Sequence, residues 1–240
     1  MEKTVLNWSS GKDSAMSLYL LLKDPTFKVE RLITTLSSQY KRITMHGLRE
    51  ELLDLQAKEL QIPLQKIYLP EAASLESYDK VMEAFYLEFV DADLKNIAYG
   101  DIFLEDLKEY REKSLKKFDL KATFPLWKQD TKKIMEQFIA LGFKAITVSV
   151  NANLLDESFV GRTIDESFFN DLPENVDVCG ENGEFHTFVY DGPIFENPIE
   201  FKVGAKVLKD YSPSKKEDDC FKDTKNTWDT RFWFCDLLPK

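Results

Sequence analysis

The chain opens with a strand, a loop of small residues and a helix in immediate succession. Lys3 to Trp8 is a short apolar run, Ser9-Ser10-Gly11-Lys12-Asp13-Ser14 follows without a gap, and Ala15 to Lys23 has helical character. Small residues let a backbone approach an anion, the first-turn N–H groups of the helix point at it, and the helix dipole adds partial positive charge. A phosphate cradle placed this early predicts that the first strand is the central one of its sheet. The same six residues also serve as an ordinary helix start, since Ser9 and Ser10 are good N-caps.

Spacing excludes two common phosphate loops. A Walker loop sets Lys directly before a hydroxyl residue, and here Asp13 intervenes; a Rossmann fingerprint needs three spaced glycines, and Gly11 stands alone. The amphipathic runs that follow alternate with short apolar ones, the signature of βαβ units and a parallel sheet. Val29 to Leu36 reads as a strand, Gly47 to Leu60 as a helix through Leu48, Leu52 and Leu55, and Leu64 to Leu69 as a strand closed by Pro70. Tyr78, Met82, Phe85 and Phe89 mark the next helix, and Asn96 to Tyr99 the next strand, ending at Gly100-Asp101. A helix over Leu104 to Phe118 places Leu104, Leu107, Leu115 and Phe118 on its buried side, with Arg111 on the same stripe. An arginine there either snorkels at the edge or aims at an anion.

Beyond Phe124-Pro125-Leu126-Trp127 the pattern changes. A helix over Thr131 to Leu141 precedes a β-branched strand, Ala145 to Val150, which either completes the first sheet or begins a second layer. Shorter strands follow at Glu184 to Tyr190, Glu200 to Leu208 and Trp228 to Leu237. The expected architecture is α/β: a parallel sheet with helices on both faces over 1–120, then a smaller α+β domain over 121–240.

The net charge of −10 disfavours bulk nucleic acid as a partner. The Lys-rich pieces at 113–117, 128–133 and 214–216 are each flanked by acids, as on solvated helix faces. No stretch approaches the roughly 18 apolar residues of a membrane span, so no membrane partner and a cytoplasmic location are expected. Cys179, Cys220 and Cys235 are widely spaced with no C-x-x-C pair, which indicates reduced thiols rather than a disulfide framework or a metal cluster.

A second unusual segment is Cys179-Gly180-Glu181-Asn182-Gly183-Glu184-Phe185-His186-Thr187. Two carboxylates on a tight turn can aim at a common point, and His186, two residues past Glu184, would share its side of an extended chain. Such a group could hold magnesium with phosphates, orient an amine or act as a general base. A hairpin turn with solvated acids is the plainer alternative.

The hexapeptide resembles the S-G-G-x-D-S signature of the PP-loop ATP pyrophosphatases, with Ser10 at the second Gly position. Taken with His46-Gly47-Leu48-Arg49, Gly100-Asp101-Ile102, Arg111, Phe124-Pro125-Leu126-Trp127, Gly161-Arg162 and the Glu181 to Thr187 motif, the chain resembles the diphthine–ammonia ligase family within that superfamily. Asn182 stands where the family's E-G-G-E-F-x-T motif has Gly. The F-P-L-W and G-E-N-G-E-F-H-T segments look like the family's bacterial-type branch.

The resemblance implies an N-terminal HUP-type domain binding ATP and a C-terminal domain that closes the site. It implies that a carboxylate attacks the α-phosphorus, pyrophosphate leaves, and ammonia displaces AMP to form an amide. The acceptor is then protein-borne diphthine or, in the bacterial-type branch, another carboxylate. On this reading Ser9, Ser10, Gly11, Lys12, Asp13 and Ser14 hold the pyrophosphate, Lys12 neutralises its charge, and Asp13 braces the loop or touches Mg²⁺ carried by ATP. Thr34, Thr35 and Leu36 meet adenine through backbone atoms. Gly100 and Asp101 border the α-phosphate or ribose, Arg111 reaches the adenylate, and His46 contacts the nucleotide or caps its helix. Glu181, Glu184 and His186 are candidates for orienting ammonia or the acceptor. Alternatives left open are a corrinoid-related or other small carboxylate acceptor, a non-catalytic ATP or AMP binder, and a tRNA-modifying enzyme. A homodimer is also left open.

Overall fold

A computed structural model of the chain describes residues 1–44, 46–70, 75–210 and 231–240. Its first half builds strands β1 (Glu2–Asn7), β2 (Phe27–Ser37), β3 (Leu64–Leu69), β4 (Asn96–Ala98) and β5 (Lys121–Thr123). Helices α1 (Lys12–Lys23), α2 (Glu50–Leu60), α3 (Leu75–Asp91) and α4 (Glu105–Lys116) connect them in turn. The sheet is parallel in the order β3-β2-β1-β4-β5, so the opening strand is central, as its loop predicts.

Alternation along each strand sends successive side chains to opposite faces. Leu6, Leu32 and Ala98 face a core with Met16, Leu18 and Leu21 of α1 and Leu52 and Leu53 of α2. Val5, Ile33 and Ile97 face a separate core with Met82, Tyr86 and Phe89 of α3 and Leu115 of α4. Helices therefore cover both faces.

The second sheet is antiparallel: β6 (Lys144–Asn151), β7 (Phe185–Asp191), β8 (Phe201–Asp210) and β9 (Arg231–Pro239), in the order β7-β6-β9-β8. Strand β6 thus begins the second layer. Helix α5 (Thr131–Ala140) precedes it, and α6 (Glu166–Asp171) lies between β6 and β7. Val148, Val150, Phe185 and Phe188 of this sheet join the same core as α1 and α2, so the second layer packs onto the face that carries the loop.

Several local expectations need correction. Strand β5 and helix α6 are too short, at 3 and 6 residues, to show a period, and sequence pattern misses both. The first sheet extends through Thr123. Helix α2 starts at Glu50 rather than Gly47, because Gly47 is left-handed at φ 68° and Arg42 pairs with Arg49 as an antiparallel bridge. On α4 only Leu115 is fully buried, and Leu104 is the residue that precedes the helix. The lysines at 214–216, Cys220 and the first three residues of the expected Trp228 strand lie outside the described residues.

Candidate active site

The loop after β1 is held from three directions. Neither serine caps α1: the N-cap is Gly11, with no side-chain cap, and the Lys12 amide donates instead to Thr187 Oγ1 of β7 at 3.0 Å. The Ser14 hydroxyl donates to the Gly11 carbonyl at 2.9 Å, and Ser9 Oγ donates to Ser14 Oγ at 3.2 Å. The Ser10 carbonyl accepts from the Val189 amide at 3.0 Å and from Gln56 Nε2 at 3.0 Å, while Gln56 Oε1 accepts from Trp8 Nε1 at 2.9 Å. Gln56 is thus a part of the site that the sequence reading did not single out, while Thr187, quoted there as the end of the Glu181 motif, is that motif's direct contact with the loop. Gln56 does carry a signal, as a polar residue in the Leu52, Leu53, Leu60 buried stripe of α2.

Ser10 is one of the non-glycine residues whose backbone is left-handed, at φ 72°. Its hydroxyl is buried without a partner. A Cβ in that conformation costs about 1–2 kcal/mol, and a stranded hydroxyl adds to it. Ser10→Gly is therefore expected to raise stability by about 1 kcal/mol, net of glycine's extra chain entropy, as a higher urea midpoint at unchanged slope. A lowered midpoint would mean that the hydroxyl has a partner in solution.

Lys12 Nζ contacts both oxygens of Asp13, at 3.0 and 2.8 Å, and lies 5.4 Å from the Phe185 ring centroid. Burial alone would lower the Lys12 ammonium, yet the Asp13 carboxylate keeps it above the usual lysine value. Burial pushes Asp13 upward against the pull of Lys12, and Asp177 and Asp101 add to that push. With 27% of its side chain exposed, Asp13 is the solvent-facing end of the pair, which weakens the burial effect on it. Gly100 comes close to the start of α1: a Cβ there would stand 3.1 Å from the Asp13 carbonyl carbon and 3.2 Å from the Ser14 amide.

Beside this pair stands Glu181, whose Oε1 accepts from the Ile102 amide at 2.7 Å and the Phe103 amide at 3.3 Å. Burial raises its carboxyl to about 7; the two amides and Lys12 pull down, and Asp13 pushes up. Glu184 does something different. It is 2% exposed and accepts from the amides of Asp177 and Asn182 at 3.0 and 2.9 Å and from Asn182 Nδ2 at 3.0 Å. The two carboxylates do not converge, because Glu184 closes the turn from inside while Glu181 reaches out of it. Glu184→Gln puts an NH₂ against these N–H donors and should cost about 1–3 kcal/mol of stability, read by chemical denaturation.

The remaining expected residues divide. Asp101 is committed to Arg111 through two contacts, at 2.6 and 3.1 Å, and the guanidinium lies 4.1 Å from the Tyr99 ring centroid, so the anion Arg111 meets is the chain's own. The Thr34 hydroxyl donates to the Trp8 carbonyl at 2.6 Å, the Thr35 carbonyl accepts from the Thr44 amide at 3.4 Å, and Leu36 is buried. The strand edge expected to meet adenine is therefore flanked by the turn at 42–44. His46 and His186, 140 positions apart, face each other with ring centroids 4.5 Å apart. His46 Nε2 lies 3.4 Å from the position a Gly11 Cβ would take, so this ring hangs over the loop.

No group of three or more His, Cys, Asp or Glu among the described residues could hold a metal ion. Asp13 is the one expected magnesium contact, and Lys12 occupies both of its oxygens. The described residues do not supply a magnesium cage of their own.

A central strand feeding a small-residue loop and a helix N-terminus, with helices on both sheet faces, is the arrangement of a HUP-type α/β unit. The chain matches the diphthamide synthase N-terminal domain over residues 2–122 and the diphthamide synthase C-terminal domain over residues 130–234; it belongs to that family. It is 27% identical over 189 residues to a diphthine–ammonia ligase of Rattus norvegicus, covering 72% of this chain and 68% of the relative. A Danio rerio protein of the same name is 26% identical over 172 residues, covering 65% and 67%. The Homo sapiens protein of that name is 31% identical over 113 residues, covering 45% and 42%. Among solved structures, a U34-tRNA thiolase from Methanococcus maripaludis aligns at 18% identity with a TM-score of 0.38, covering 58% of this chain and 56% of that one. No helix among the described residues is long and apolar enough to cross a membrane.

Proposed function

We propose that the chain is an ATP-dependent ligase that joins ammonia to a carboxylate, releasing AMP and pyrophosphate. Its nucleotide-binding unit and its acceptor unit divide in the 124–130 stretch. In the first step a carboxylate oxygen attacks the α-phosphorus, the α–β bridging bond breaks, and pyrophosphate departs into the loop. Lys12 takes up the growing negative charge, the kind of preorganised electrostatic stabilisation that dominates such transfers. In the second step ammonia attacks the acyl carbon, AMP leaves, and the nitrogen gives a proton to Glu181.

One observation carries this reading: Glu181, from the second unit, lies within the electrostatic reach of Lys12 and Asp13 while anchored on the Ile102 amide of the first. A charge-neutralising lysine and a carboxylate titrating near 7 are what adenylation and amine deprotonation require in one place. A cavity of about 600 Å³ opens beside the same turn, lined in part by Phe103, Thr131, Lys132 and Asp177. That volume suits a small carboxylate or an extended side chain, and it is the route assigned to the acceptor. A smaller cavity of about 190 Å³, beside Lys3, Glu30 and Leu94, lies at the opposite end of the strands and takes no part.

The relatives' names point to diphthine, borne on a protein, as the acceptor, and a small-molecule carboxylate is the other form the same chemistry takes. The test measures AMP and pyrophosphate together, with ammonium and either a diphthine-bearing protein or a panel of small carboxylates. Equal amounts of both products, dependent on acceptor and ammonium, are expected. ATP binding without turnover on any acceptor would make the chain a nucleotide binder instead.

A further inference from the structure

His46 and His186 are the chain's only histidines, and nothing in the carboxylate-activation scheme uses them. Their placement is costly for two solvent-seeking rings. His46 Nδ1 and His186 Nε2 are both buried with no hydrogen-bond partner, although buried polar atoms are nearly always paired. The segment that carries His46 is clamped against β9 of the second sheet. Asp236 takes Arg42 at 2.9 Å and Arg49 at 2.7 Å, and Arg42 also donates to the Gly47 carbonyl at 2.6 Å. Left-handed Gly47 lies against Phe234, where a Cβ would come within 2.9 Å of its ring. His186 is held by its place in β7, one residue before the Thr187 hydroxyl that caps α1. Two neutral rings are thus fixed over the loop by independent anchors, each with an unused nitrogen.

The charges facing them explain why they are neutral. Burial holds both imidazoles below the usual histidine value, His186 at about 4, and Lys12 from α1 pushes both further down. His186 also disfavours a proton on His46, while the Thr44 carbonyl favours one. The other charged groups around the site are Asp13 and Glu181, paired with or close to Lys12, and the Arg42–Asp236–Arg49 cluster behind the His46 segment. A polyphosphate in the loop would reverse the sign of the field, since several negative charges would then stand between Lys12 and the rings.

We propose that the His46–His186 pair forms the second wall of the phosphate site, opposite α1, and that an imidazole of the pair takes a proton from solvent as the polyphosphate enters and donates a hydrogen bond to it. The proton returns to solvent when the anion leaves, so the cycle balances. This inference rests on the loop being the nucleotide site, as proposed above.

With two histidines in the whole chain, carrying a histidine-free tag, the imidazole carbon-bound protons can be followed by NMR in the unmodified protein. The titration is run free, with inorganic pyrophosphate, and with an ATP analogue whose α–β bridge is a methylene that cannot be cleaved. Binding of either anion is expected to raise the proton affinity of at least one ring by about tenfold or more. Calorimetry at about pH 5, between the free and anion-bound titrations, in buffers of different ionisation enthalpy should show matching proton uptake, reduced in His46→Gln. Bound analogue with both titrations unmoved overturns the inference and leaves the ligase reading standing. Absence of any binding, by heat or by shifts elsewhere in the spectrum, overturns both.

Discussion

Lys12→Met is expected to lower kcat/KM for ATP-dependent pyrophosphate release by about 10²–10³-fold, the usual loss when one preorganised charge is removed from a developing anion. The structure makes this lysine hard to replace. Its side chain is 4% exposed, lies against the Phe185 ring and meets both oxygens of Asp13. Lys12→Arg should fail to restore the rate, because a planar guanidinium does not fit a slot shaped around a compact ammonium. Asp13→Asn separates the roles: it keeps the positive charge, frees it from its partner, and should cost less than the loss of Lys12 itself. The readout is exchange of labelled pyrophosphate into ATP, with circular dichroism confirming that each variant is folded. A Lys12→Met rate within about threefold of wild type would remove this residue from the transition state.

The parallel sheet was legible because its signals are local. The β1 run, the small-residue loop and α1 are contiguous, and β2, β3 and the long helices run far enough for period 2 and period 3.6 to show. Strands β4 and β5 have 3 residues each; β4 shows as the apolar run before Gly100-Asp101, and β5, Lys121–Thr123, has no such run. The site was legible as motifs and not as geometry. Glu181 and Glu184 look equivalent in the sequence, and what separates them is which backbone amides each meets: Ile102 and Phe103 for one, Asp177 and Asn182 for the other. Those partners come from loops whose positions only the folded chain defines. The histidine pair is likewise invisible at a separation of 140 residues. Asp101 and Arg111 are legible as residues, while their mutual ion pair, which joins the end of β4 to α4, is not.

Glu181→Gln should produce the other large effect, and its sign depends on pH. In the wild-type protein, amide formation compared at equal concentrations of free ammonia should rise with pH through about 7, as burial places the Glu181 carboxyl there and its ionised form accepts the proton. The variant should be slower by about 10²–10⁴-fold at high pH, without that rise, because the amide cannot accept a proton. Its oxygen still accepts from Ile102 and Phe103, so pyrophosphate exchange should survive. Hydroxylamine, whose adduct at the acyl carbon gives up its proton more readily than that of ammonia, should recover part of the lost rate. Stability should move the opposite way. A carboxyl raised from 4.5 to about 7 in the folded chain loses stability as pH rises through that interval, since the unfolded state ionises first. Glu181→Gln removes this cost, so its Tm should exceed that of wild type above pH 7 and the two should converge toward pH 4.5. A variant that is slow at exchange as well as at amide formation would place Glu181 in the adenylation step. One that is less stable than wild type at every pH would make it a structural brace like Glu184.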